Sequence, residues 1–199
     1  MSEVINDADY QEHERAKKEE KDTEPALINE NASPEDMVDS GVSAIEKQVK
    51  AELLGKLKEI DPYYFQKVVL KLLNKMGYGN FIETPKSNDG GIDGIINQDQ
   101  LGLEKIYMQA KRYQDDNRVR EKDIRNFIGA MSGDTSKGVF VTTSIFDDGA
   151  ITKAREAHHT IILIDGHKLV DLMHTFGVGV QVRNVYEIKE VDDDFFEEN

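Results

Sequence analysis

The sequence contains no cysteine, which excludes disulfides, thiolate metal sites and a cysteine nucleophile. No apolar run approaches the roughly 20 residues that a membrane-spanning helix needs. The N-terminus is acidic and polar, unlike a secretory signal. There is no P-loop, dinucleotide fingerprint or GxSxG elbow, so nucleotide hydrolysis and serine chemistry have no support. Apolar residues are themselves scarce. With 38 % hydrophobic and 32 % charged residues among 199, part of the chain is expected to lie outside a packed core. The length suits one domain plus tails, and the expected location is the cytoplasm.

Net positive charge is also lacking, and the formal charge of −14 looks hostile to nucleic acid. Its distribution changes that reading. Residues 1–40 carry 13 acids and 4 bases, and residues 186–199 carry 7 acids and 1 base. The intervening residues 41–185 hold 19 acids and 20 bases, a net charge of +1. A near-neutral middle with a local basic cluster can hold DNA, because binding depends on where Lys and Arg lie relative to phosphates.

Residues 1–41 read as a disordered acidic tail, 42–191 as the folded domain and 192–199 as a second acidic tail. From Val42, the residues Ile45, Val49, Leu53, Leu57 and Ile60 recur at helical spacing. Asp61-Pro62 then offers an N-cap and a first-turn proline for a second helix, with Phe65, Val69, Leu72 and Leu73 on one face and Gly77 beyond its end. The middle reads as short strands: FIET, then SNDGGIDGIIN, a QDQLG turn and KIYMQAKRY, the last two forming an antiparallel hairpin. Helix and strand alternate afterwards, with a weaker strand expected near VQVRNVYEIK. The fold class is α/β: a central mixed sheet flanked by helices.

The chemistry concentrates in Asp93 and in Gln109-Ala110-Lys111. On a regular strand Gln109 and Lys111 share one face, and Met108 and Ala110 the other. Asp93 is expected within a short apolar strand, between Ile92 and Ile95-Ile96, and pairing of the two strands can bring a carboxylate, an amide and an ammonium together. A carboxylate suits Mg²⁺, a hard ion that prefers oxygen ligands. A lysine can orient or deprotonate attacking water and offset charge at phosphorus. The bland alternative is that Asp93 sits beside an ordinary Gly-Gly turn and that QxK recurs by chance.

DGGIDGII, IYMQAKRY, KGVFVTTS and IILIDGHKLVDLM resemble the catalytic domain of Mrr-type restriction endonucleases, within the PD-(D/E)xK nuclease superfamily. The resemblance runs from about Leu57 to Val191. It implies a restriction-endonuclease-like core, Mg²⁺-dependent (or Mn²⁺-dependent) cleavage of double-stranded DNA, and restriction of foreign or modified DNA. By motif, the metal-binding acid falls on Asp93, the acidic position of the D/ExK signature on Gln109, and the catalytic lysine on Lys111. The carbonyl of Ala110 is a further candidate metal ligand. Where the family commonly has a helical glutamate this chain has Gln66, so Asp93 is the only clear carboxylate ligand. Asp89 is a supporting candidate, with a turn-capping role as its alternative.

Arg112, Arg118, Arg120, Lys122 and Arg125 follow the site within fifteen positions and suggest a phosphate-contacting edge. The interleaved Asp115, Asp116, Glu121 and Asp123 suggest instead an ordinary solvated helix entry. His158-His159 points apart on a helix and has no nearby acid, which argues against a metal site. Cleaving two strands needs two sites, so a homodimer on DNA is expected. The charged N-terminal segment stands where the resembling proteins carry a recognition domain, so recognition is expected either to be lost or to come from a separate recognition subunit. The rival readings are a nuclease-fold DNA-binding module that does not cleave, and a structure-specific junction nuclease.

Overall fold

The computed structural model describes residues 32–83, 92–99, 101–131 and 135–197. The chain divides into two units, Met1–Ile45 and Glu46–Asn199. In the first unit, residues 1–31 of the expected tail lie outside the described residues. Helix α1 (Pro34–Glu59) begins here, earlier than the boundary expected at Val42. Its start is a reciprocal capping box: the Asp36 N–H donates to Ser33 Oγ at 3.1 Å, and the Ser33 N–H to Asp36 Oδ2 at 3.1 Å. Pro34 occupies the first helical position, where its missing N–H costs nothing.

In the second unit, α2 (Pro62–Lys75) is capped by Asp61, whose carboxylate accepts the N–H groups of Tyr63 and Tyr64 at 2.9 and 3.0 Å. It ends at Gly77 (φ +86), and the Tyr78 N–H returns to Leu73 O at 3.1 Å, a left-handed stop that favours glycine. The strands are β1 (Asn80–Glu83), β2 (Gly94–Asn97), β3 (Lys105–Lys111), β4 (Lys137–Thr142) and β5 (Thr160–Ile164). Helices α3 (Glu121–Ala130), α4 (Asp148–Arg155) and α5 (Gly166–Thr175) alternate with the last three. The sheet order is β1-β2-β3-β4-β5. β1, β2 and β3 pair antiparallel, and β3, β4 and β5 pair parallel. This is the expected mixed sheet.

Period-two alternation sorts the strand residues between two cores. Ile106, Met108 and Ala110 of β3, with Val139 and Val141 of β4, join Leu53, Leu57 and the apolar face of α2 and α5. Tyr107 and Phe140 face the other way, against Ile124 and Phe127 of α3 and Ala150 and Ala154 of α4. Asp99 builds the β2–β3 turn, accepting N–H groups from Leu101 and Glu104 at 2.7 and 2.6 Å.

The strand expected near VQVRNVYEIK does not form. Residues 181–197 are exposed throughout and carry no regular structure apart from a 3-10 turn at Asp193–Phe196. Alternating β-branched residues supply propensity, but a strand also needs a ladder partner for its N–H and C=O groups. Among the described residues this segment has none.

Candidate active site

Asp93 stands immediately before β2, and its N–H donates to Met108 O at 2.8 Å. Gly94 pairs with Met108, so the antiparallel register brings Asp93 beside Gln109. The Asp93 side chain then closes the next rung itself: Oδ2 accepts the Ala110 N–H at 2.8 Å. Oδ1 accepts the Gln66 Nε2 amide from α2 at 2.7 Å. Gly94 permits that approach of helix to strand. A Cβ at this position would lie 2.8 Å from Leu70 Cδ2 on α2.

The carboxylate is held by two donors but largely withdrawn from water. Burial pushes the Asp93 pKa up, while the Ala110 N–H and the Lys111 ammonium pull the other way. Burial wins. The cost of carrying a desolvated carboxylate suits a group whose charge a cation would satisfy.

Gln109 is 4 % exposed and lies opposite Phe140 in the parallel ladder. Its amide oxygen is buried without a hydrogen-bond partner. An orphaned acceptor of this kind costs about 1–3 kcal/mol unless a donor or a cation meets it. Lys111 is half-buried at the end of β3. Its own carbonyl accepts the Thr142 hydroxyl at 2.8 Å and the Thr143 N–H at 3.3 Å. The Thr143 hydroxyl in turn accepts the Tyr113 N–H at 2.8 Å and donates to Tyr113 O at 2.7 Å. The buried hydroxyls that end β4 therefore fix the backbone on both sides of Arg112.

These residues fit one hard cation. Asp93 supplies a carboxylate, Gln109 an unsatisfied oxygen, and Ala110 a carbonyl on the residue whose own N–H already donates to that carboxylate. No group of three or more His, Cys, Asp or Glu side chains able to hold a metal exists among the described residues. His158-His159 accordingly has no such cluster around it. Asp89 lies outside the described residues. Gln66 is in place, but as a hydrogen-bond donor to Asp93.

The basic candidates separate. Arg112 is half-buried, and its guanidinium donates through Nη1 to Lys58 O at the carboxyl end of α1. Gln114 Nε2 reaches the same carbonyl at 2.9 Å, and the Lys58 ammonium pairs with Asp115. Arg112 thus has a helix-capping task. Arg118, Arg120, Lys122 and Arg125 are exposed at and around the start of α3. Arg125 pairs with Glu121 one turn away at 3.5 Å, and Asp123 accepts the Arg120 N–H at 2.9 Å. The Lys58 contact was not visible beforehand, because 54 residues separate it from Arg112 and no local pattern marks it.

The family model of the Mrr catalytic domain, described as restriction endonuclease, matches residues 57–173. The chain is 39 % identical over 171 residues to the type IV methyl-directed restriction enzyme EcoKMrr of Escherichia coli K12. That alignment covers 83 % of this chain and 55 % of the relative, so the chain spans about half of the relative's length. Two solved structures share the fold. MspJI restriction endonuclease, in complex with a 27-mer oligonucleotide, aligns with a TM-score of 0.50 and 18 % identity over 77 % of this chain and 36 % of its own. The DNA modification-dependent restriction endonuclease AspBHI aligns with a TM-score of 0.52 and 22 % identity over 78 % of this chain and 40 % of its own. The paired strands that carry Asp93, Gln109 and Lys111 lie wholly inside the matched span, and the chain belongs to the Mrr catalytic-domain family of restriction endonucleases.

Proposed function

We propose that the chain is a divalent-metal-dependent DNA endonuclease that hydrolyses phosphodiester bonds, with foreign or modified DNA as its target. The observation that carries this reading is the Asp93 carboxylate. It is raised in pKa by burial and anchored on the Ala110 N–H between Gln109 and Lys111. Asp93, the Gln109 amide oxygen and the Ala110 carbonyl would hold Mg²⁺ or Mn²⁺. When bound, the ion supplies Lewis-acid polarisation of the phosphoryl oxygen.

The chain's own groups do the rest. Asp93, fixed by Gln66 and Ala110, sets the position of the site relative to both strands. The Lys111 ammonium orients the attacking water and offsets the negative charge that develops at phosphorus. Arg118, Arg120 and Lys122 hold the DNA backbone through phosphates, which positions without reading sequence. A single site cuts one strand, so a homodimer on DNA would make the double-strand break. Recognition of modification would come from residues outside the matched domain or from a separate subunit. Acting on DNA, the protein would work in the cytoplasm; among the described residues no helix is long and apolar enough to cross a membrane.

The second reading is a DNA-binding module that does not cleave. Its support is the neutral pair Gln66 and Gln109, which leaves one carboxylate where a metal needs several oxygen ligands. Plasmid nicking decides between the two, run with Mg²⁺ or Mn²⁺ on methylated and unmethylated DNA beside Lys111→Ala. Metal-dependent nicking that disappears in the variant supports the nuclease. Binding without nicking in both proteins overturns it. Preferential cleavage of four-way junctions would redirect the reading to a structure-specific nuclease.

A further inference from the structure

The segment with strand-like sequence and no strand partner is the C-terminal arm, residues 181–197, outside the family match. Val182, Val185, Tyr186, Ile188, Val191, Phe195 and Phe196 are each between 71 and 82 % exposed. Isolated exposed apolar residues are ordinary, but seven within fifteen positions of one segment are not. Val180, Val182, Tyr186 and Ile188 share one parity, with Asn184 between them, so that side of a strand would be mostly apolar; Val185 falls on the other side. The Val180 end is anchored: Val178 is buried and Val180 packs against the core.

The same molecule offers an acceptor for such a strand. The sheet order ends at β5, and the backbone bonds of β5 among the described residues all come from the β4 side. An open edge of this kind presents a row of unpaired N–H and C=O groups, a template for an added strand. Charge sets the direction. Glu187, Glu190, Asp192, Asp193, Asp194 and Glu197 make the far end of the arm acidic, with Lys189 its one base. Lys153, Arg155, His158 and His159 precede β5, with Glu156 among them. Antiparallel addition lays the acidic end against this group; parallel addition would lay it against Asp165.

We propose that the arm of one copy adds as an antiparallel strand to the outer edge of β5 in a second copy, and that the exchange is reciprocal. Residues 182–188 are the part of the arm that can span the five residues of β5, and Val182, Tyr186 and Ile188 are exposed there and would be covered by the added ladder. The isologous contact closes as a dimer. It gives the dimer proposed above a surface, yet it requires neither metal nor DNA, so its failure would leave the cleavage reading untouched.

The absence of cysteine permits a clean test on the full chain. Thr160→Cys is combined in turn with Asn184→Cys, Tyr186→Cys and Ile188→Cys, oxidised, and run without reductant beside light scattering of the unmodified protein. The expected result is twice the mass of one chain in solution and a covalent dimer for at least one pair. A monomer in light scattering, or a disulfide within one chain, overturns the proposal. Val185→Pro and Tyr186→Pro add a second readout, since both sites are exposed and the substitutions leave the core intact. Adjacent strand residues point their N–H groups in opposite directions, so one variant loses a ladder bond and weakens dimerisation about tenfold while the other does so less. Equal, unchanged dimerisation in both variants excludes strand addition.

Discussion

Gln66 Nε2 donates to Asp93 Oδ1 at 2.7 Å, so an amide stands where a carboxylate would confront Asp93, the acid proposed to hold the metal, at hydrogen-bond distance. The amide stabilises Asp93 as an anion. A glutamate there would repel it unless a cation lay between them. Gln66→Glu is therefore expected to lower thermal stability in chelator, by about 1–3 kcal/mol for the lost bond. It should also show a larger rise in melting temperature on adding Mg²⁺ than the wild type does. Equal Mg²⁺ shifts in the two proteins would place the cation elsewhere.

The pH dependence of stability gives a second expectation. Burial raises the folded-state pKa of Asp93 above the ordinary 3.8. Between that value and the raised one, the native protein binds more protons at this site than the unfolded chain does. Stability contributed by Asp93 is therefore greatest at the acid end, falls as pH rises through the window, and levels off above it. Denaturant midpoints in chelator, compared between wild type and Asp93→Asn, isolate this slope. The wild type should lose stability relative to the variant as pH rises; parallel curves would show that Asp93 does not titrate there.

Lys111→Ala is expected to reduce nicking by about 10²–10⁴-fold, the usual contribution of a positioned proton-transfer group. Because Thr142 and Thr143 hold Lys111 through its backbone carbonyl, removing the side chain should leave the melting temperature nearly unchanged. Nicking assays beside thermal unfolding check both halves. A variant that cleaves at the wild-type rate would remove Lys111 from the mechanism.

The geometry of the candidate site was legible because its determinants are local or on adjacent strands. Asp93 flanked by glycines and the alternation of Met108, Gln109, Ala110 and Lys111 are properties of a hairpin, and hairpin register follows from pattern and turn. The start of α1 was also written locally, in Ser33-Pro34-Glu35-Asp36, but the surrounding run of acidic residues masked it as tail. The 181–197 segment misled for the opposite reason: its pattern is that of a strand, and pattern does not say whether a partner exists. The contacts of Arg112 with Lys58, and of Thr143 with Tyr113, join residues 54 and 30 positions apart, and only the folded sheet brings them together.

That long-range contact divides the basic cluster into two experimental classes. Arg112 occupies a half-buried position against the end of α1, so Arg112→Ala leaves the Lys58 carbonyl with Gln114 alone and deletes packed guanidinium surface. Its effect should appear in unfolding, as a loss of about 1–3 kcal/mol, whatever happens to DNA binding. Arg118, Arg120 and Lys122 are exposed, and their replacement by Ala should leave the melting temperature alone. If they contact phosphates, each weakens DNA binding similarly across sequences and reduces the slope of log affinity against log salt by about 0.9. Filter binding over a salt series, set beside thermal unfolding of all four variants, checks the division. An unaltered slope for the three exposed variants would assign them to a solvated helix entry and move the DNA path to another edge of the sheet.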